Sequence, residues 1–158
     1  CEIDVRFTYC AAAVSTLVGD ASGVDVDAAQ AHIASCLSYD GGYALRPGGE
    51  AHGGSTYCAV ASRVMLAALS APPAPSSLSR RPRPSSLDDD PALGRVVDWC
   101  ARRQRVRGGI AGRPGKPPDS CYSFWVGAAL RALGAQYVLD DAAVTRFVWE
   151  CASPRTGG

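Results

Sequence analysis

Lysine is all but absent from these 158 residues: Lys116 is the only one, and every other basic side chain is arginine. Methionine is as scarce, and the chain does not open on it. The start, Cys1-Glu2-Ile3-Asp4, is not a signal peptide and implies a sequence that begins inside a longer protein. No apolar run is long enough to span a bilayer. Excess charge of either sign is missing too: the net charge of +1 offers no argument for a nucleic acid or a membrane surface as partner. Cys-x-x-Cys pairs are absent, and the seven cysteines are odd in number, which indicates neither a disulfide framework nor a four-cysteine zinc site. Most sit in apolar helical surroundings, such as Tyr9-Cys10-Ala11 and Tyr57-Cys58-Ala59, where a free thiol behaves as a small hydrophobe. A reducing compartment, the cytosol, is the expected home.

What is present reads as helix, with no strand-like alternation of any length. Residues 8–18 form an apolar helix stopped by Gly19. Residues 26–37 form a second, capped by Asp25, with Ala28, Ala29, Ile33 and Cys36 on its apolar face. After a glycine-rich loop, residues 55–69 are small and apolar nearly all round, the composition of a helix buried between neighbours. Residues 71–87 are rich in Pro, Ser and Arg; they read as a solvated, disordered insertion within one domain covering 1–158. The acidic run Asp88-Asp89-Asp90 opens the next helix, with Asp90 as N-cap and Pro91 at its first position. Two more helices follow at 121–133 and 141–151. Three segments share a closing signature: Ile33 to Gly42, Trp99 to Gly109 and Phe147 to Gly158. Recurrence of this kind marks a helical-repeat array, so the expected fold class is all-α.

Two stretches carry chemistry. The first runs from Gly112 to Trp125, Gly-Arg-Pro-Gly-Lys-Pro-Pro-Asp-Ser-Cys-Tyr-Ser-Phe-Trp. Arg113 and Lys116 supply cations. Asp119 and Cys121 follow, with Asp119 or Ser120 as N-cap, at a helix entrance whose dipole favours a thiolate. A carboxylate and a thiolate two residues apart can reach one Zn²⁺, which needs a third protein ligand. The second stretch is Glu50-Ala51-His52-Gly53-Gly54-Ser55-Thr56-Tyr57-Cys58. It places His52 before two glycines at a helix entrance, a setting suited to an anion. His32 lacks such a setting and reads as a surface residue.

The first stretch resembles the zinc-binding segment of the protein prenyltransferase β subunits. The run from Cys121 to Ala128 is most similar to the geranylgeranyl type I members. The resemblance implies an α/α toroid of helix pairs around a central cavity, of which about three pairs, an incomplete ring, are present here. It implies that His52, Arg113, Lys116 and Tyr122 receive an isoprenoid diphosphate, and that Asp119 and Cys121 hold zinc. The third ligand, a histidine in the family, would lie beyond Gly158. Asp4 to Cys10 resembles the family segment whose arginine, here Arg6, lies near the C-terminus of the peptide substrate. Phe7 would help to shape the pocket for that peptide's last residue. Tyr9, Gly53, Gly54, Tyr57, Cys58, Ser123, Phe124 and Trp125 would line the substrate cavity and its aromatic tunnel.

The implied activity is transfer of a geranylgeranyl group to the cysteine of a C-terminal CaaX motif, as the catalytic subunit of a heterodimer with a helical-repeat α subunit. The isolated segment is expected to be inactive and poorly soluble. Rival readings are a farnesyl or Rab-type sibling and an inactive half-toroid that serves as an interaction scaffold. Ser55, where a bulky aromatic would shorten the tunnel, favours the longer lipid. A terpene-cyclase reading of Asp88-Asp89-Asp90 lacks the Asp-x-Asp-Asp pattern, and acidic residues suit a helix N-terminus in any case.

Overall fold

A computed structural model describes residues 3–70 and 90–152. Six α-helices form there: α1 (Val5–Val18), α2 (Val26–Ser35), α3 (Gly53–Ser70), α4 (Pro91–Ala101), α5 (Cys121–Ala132) and α6 (Asp141–Cys151), with a 3₁₀ turn at Gln136–Val138. No strand forms among the described residues; isolated antiparallel bridges close the loops. The insertion expected at 71–87 lies outside the described residues, as do Cys1 and the end of the third signature.

The sequence predicts α1 from residue 8, yet it starts at Val5. Asp4 caps it, accepting the Arg6 N–H at 2.9 Å. Its far end stops at Gly19 in the left-handed region, φ +72, where other residues are strained. The second helix stops at Ser35, two residues short of expectation. Ala28 is exposed instead of on an apolar face, and its N–H is bonded to the Asp25 cap at 2.9 Å. His32 is half-buried, not a surface residue: its Nε2 lies 3.8 Å from the buried Cys36 Sγ. Cys10 also departs from the small-hydrophobe reading, being exposed together with Cys121 and Cys151. For α4 the Asp90 cap and the first-turn proline are as expected.

α3 lies between α1 and α5 in an inner row, and α2 and α4 back onto it from outside. Ile33, Ala59, Val60, Leu66, Val96, Val126 and Leu130 are fully enclosed between the layers. Small side chains let the inner helices approach closely, which is why α3 carries so many of them.

The outer row is stitched by a repeated device. Gly41 and Gly42 seat on α4: a Cβ on Gly41 would meet the Arg95 carbonyl oxygen at 2.7 Å, and one on Gly42 would meet the Trp99 ring at 2.6 Å. Gly108 and Gly109 seat the same way on α6, against the Ala143 carbonyl and the Phe147 ring. Trp99 adds a hydrogen bond from its indole N–H to Asp40 Oδ2 at 2.9 Å, and Gln104 binds the Asp140 backbone through both ends of its amide. Each loop hydrogen bond recurs in register. Ser38 N–H to Gly42 O is matched by Arg105 N–H to Gly109 O, Ala44 N–H to Cys36 O by Ala111 N–H to Arg103 O, and His52 N–H to Tyr43 O by Asp119 N–H to Ile110 O. His52 and Asp119 therefore occupy equivalent positions in successive repeats, each at the start of an inner helix.

Candidate active site

A cavity of about 610 Å³ opens at the N-terminal ends of α1, α3 and α5. Asp4 and Arg6 come from the entrance of α1, His52, Gly54, Ser55 and Cys58 from that of α3, Trp125 from α5 and Arg113 from the loop before it. The N-terminal ends of α1 and α3 thus face one space, where the backbone dipoles favour negative charge, and α5 reaches it through Trp125 in its second turn.

His52 sits at the centre of the polar wall. Its Nδ1 accepts the Gly54 N–H at 3.1 Å, and its Nε2 lies 2.9 Å from the Tyr122 hydroxyl. Since Nδ1 accepts, the single proton of the neutral ring belongs on Nε2, which donates to the Tyr122 oxygen. The Tyr122 O–H remains free to donate to a ligand. Burial lowers the His52 pKa, with the Arg113 charge adding to it, so the ring is held neutral. The Tyr122 ring fits because Gly112 and Gly53 have no side chains: a Cβ on Gly112 would overlap the ring, and one on Gly53 would lie 3.0 Å from it. Gly112→Ala is expected to displace Tyr122 from His52 and to destabilise the protein by about 1–3 kcal/mol, read as a lower denaturation midpoint at unchanged slope.

Arg113 is paired with Glu50, Nη1 to Oε2 at 2.6 Å, with both side chains partly exposed. An anionic ligand therefore meets a guanidinium already oriented by a carboxylate. Lys116 is exposed on the same loop, outside the cavity wall. Arg6 is forked onto Asp4, Nε to Oδ1 at 3.0 Å and Nη2 to Oδ2 at 2.6 Å. That hydrogen bonding holds the buried Asp4 carboxyl below its ordinary range. Arg6 thus also braces the cap of α1, the helix-start role that its position beside Asp4 allows.

The aromatic residues gather between the inner helices. Tyr57 stacks within 5.6 Å of Tyr9, 5.2 Å of Phe124 and 5.4 Å of Trp125. Of these only Trp125 lines the cavity itself. Burial pushes the Tyr57 phenol up to about 12 and the Cys58 thiol up to about 11, so neither is a nucleophile near neutral pH. Phe7 is half-exposed on α1 and does not line the cavity, and the Ser123 hydroxyl is enclosed without a hydrogen-bond partner.

Asp119 and Cys121 lie outside the cavity wall at the entrance of α5. Asp119, not Ser120, does the capping there: its Oδ1 accepts the Cys121 N–H at 3.0 Å, while Ser120 makes no side-chain cap bond. Partial burial, and then the adjacent Asp119 carboxylate, push the Cys121 thiol up. This is the reverse of the thiolate that a helix entrance alone would favour. A carboxylate held against an exposed thiol is a donor pair that suits zinc, and the two fit as part of such a site. Among the described residues no third His, Cys, Asp or Glu stands close enough to complete one.

Arg46 and Glu50 also line the cavity, and neither is marked by its own neighbourhood in the sequence. A signal does exist for the first: Arg46-Pro47-Gly48 repeats as Arg113-Pro114-Gly115.

Residues 1–158 match the prenyltransferase alpha-alpha toroid domain. The chain is 41% identical over 156 residues to the geranylgeranyl transferase type-1 subunit beta of Arabidopsis thaliana, covering 99% of this chain and 40% of that protein. It is 31% identical to the geranylgeranyl transferase type-2 subunit beta of Saccharomyces cerevisiae, covering 99% of this chain and 43% of that one. Among solved structures, Candida albicans protein geranylgeranyltransferase-I complexed with GGPP superposes with a TM-score of 0.76 over 98% of this chain and 42% of that one, at 21% identity. The chain therefore spans about 40% of the length of the first of these relatives.

Proposed function

Because this chain belongs to the prenyltransferase alpha-alpha toroid family, we propose that it is part of the β subunit of a protein geranylgeranyltransferase of type I. The observation that carries this reading is the convergence of Arg113 and His52 on one cavity beside an aromatic cluster, with the Tyr122 hydroxyl hydrogen-bonded to His52. An isoprenoid diphosphate has those two ends, one an anionic diphosphate and one long and apolar.

In the proposed reaction the sulfur of an acceptor cysteine attacks the first isoprenoid carbon, the carbon–oxygen bond breaks, and diphosphate leaves with the electron pair. Arg113 neutralises the charge that builds on the leaving group, the Tyr122 hydroxyl donates to it, and Lys116 would have to reach it from its exposed place on the Arg113 loop. Neutral His52 fixes the direction of that hydroxyl. The aromatic cluster holds the chain of the lipid and keeps water away from its reacting end. Asp119 and Cys121 would be two of the zinc ligands; zinc, when bound, keeps an incoming thiol deprotonated near neutral pH. The acceptor would be the cysteine of a C-terminal CaaX sequence, with Arg6 facing its terminal carboxylate. A cytosolic home and a helical-repeat α subunit as partner belong to the same proposal. No helix among the described residues is long and apolar enough to cross a membrane.

Geranylgeranyl is favoured over farnesyl by Ser55. This residue lines the cavity, is 2% exposed, and turns its hydroxyl onto the Tyr43 carbonyl at 2.7 Å. A bulky aromatic there would occupy cavity volume that the longer lipid needs. The test is turnover by the full-length protein, co-expressed with its α subunit, on CaaX peptides with geranylgeranyl or farnesyl diphosphate. The expected result is a preference for the longer donor and for peptides with a free C-terminus. A preference for farnesyl diphosphate would move the assignment to the sibling enzyme, and zinc-replete protein that binds neither donor would leave the scaffold reading.

A further inference from the structure

Arg113 has a structural twin one repeat earlier, on the wall of the same cavity. The loops that carry Arg46 and Arg113 are built alike. Gly48 and Gly115 both have φ +74, and the arginine carbonyl accepts the N–H three residues on, from Gly49 at 3.1 Å and from Lys116 at 3.4 Å. This follows the register that makes His52 equivalent to Asp119. Both arginines line the same cavity. The Arg46 loop is tied to the entrance of α1, where Leu45 accepts the Val5 N–H at 3.0 Å, so Arg46 stands on the wall that also bears Arg6. Arg113 stands near Glu50, between α3 and α5.

We infer that Arg46 binds an anionic group of a ligand lying in this cavity, as a further substrate-binding cation one repeat away from Arg113. The inference deepens the reading above and rests on it. The shared chemistry is a carboxylate or phosphate oxygen accepting from a guanidinium, and the position beside Arg6 places it at the acceptor-peptide end.

The test uses the full-length protein co-expressed with its α subunit, with Arg46→Ala and Arg46→Lys variants. KM for geranylgeranyl diphosphate and for a CaaX peptide are measured separately, the peptide with a free and with an amidated C-terminus. Arg46→Ala is expected to raise one KM by about tenfold, the scale of losing one charge-assisted hydrogen bond, with Arg46→Lys recovering part of it. A rise confined to the free-carboxylate peptide and absent for the amidated one identifies the peptide C-terminus as the anion. A rise confined to the diphosphate substrate identifies the phosphate. Unchanged KM for both substrates overturns the inference. Wild-type protein that turns over neither substrate refutes the proposed function instead, so the two failures are distinguishable. Thermal unfolding checks that the variants fold, and Arg46→Gln replaces any that does not.

Discussion

Cys121→Ala is expected to strip zinc from the full-length protein and to lower its turnover by about a hundredfold or more, beyond what outer-sphere changes around a metal cost. The reason is local. Cys121 is exposed at the first position of α5, and its main-chain N–H is gripped by the same Asp119 carboxylate that lies against its thiol. Removing the thiol leaves Asp119 still capping the helix, so the fold should survive while the donor pair is broken. Metal content by elemental analysis is the direct readout, with Cys151→Ala, exposed at the last position of α6, as the matched control. Zinc retained at wild-type stoichiometry in Cys121→Ala would remove this residue from the ligand set, whatever happened to activity.

Trp99→Ala is expected to have the largest effect on stability. The ring is 2% exposed, packs on Gly42, donates its indole N–H to Asp40, and lies under the Arg103 guanidinium at 4.8 Å. Truncating a buried aromatic costs about 3–5 kcal/mol. The change also orphans the Asp40 carboxylate, whose other oxygen, Oδ1, is already enclosed without a partner. Because a domain's whole stability is about 5–15 kcal/mol, such a loss should appear as a large fall in the denaturation midpoint of the full-length protein. Trp99→Phe separates the parts: it keeps a six-membered ring in the site and loses the hydrogen bond with the rest of the indole, for about 1–3 kcal/mol. If alanine and phenylalanine cost the same, packing against Gly42 is not what joins these two repeats.

The repeat itself was legible in the chain. The double glycines and the aromatic residues that precede or follow them stood out as a signature, although what they do was not visible. Gly41 and Gly42 are needed because α4 runs directly over them, and Gly108 and Gly109 because α6 does the same; a close approach between distant segments leaves only the small residue as its trace. The helix boundaries were readable where a cap carries them, as at Asp90 and Pro91. They were misread where the cap is also a partner in an ion pair, as at Asp4 with Arg6. The exposure of Cys10 was not readable, since an apolar neighbourhood along the chain does not say which face of α1 meets α3.

By itself the sequence determined that the chain is all-α and repetitive, and that its reactive side chains collect at two helix entrances. These are local properties, set by capping residues, glycine and proline positions and the spacing of apolar side chains. Only the tertiary structure decided which of those side chains share a space. It brought His52 onto Tyr122, Glu50 onto Arg113 and Arg46 into the same wall as Arg6, and it left Phe7 and Lys116 outside that wall. Each of these turns on a distance across the inner row of helices, and that distance is set by the small residues packed between α1, α3 and α5 rather than by the motifs they carry.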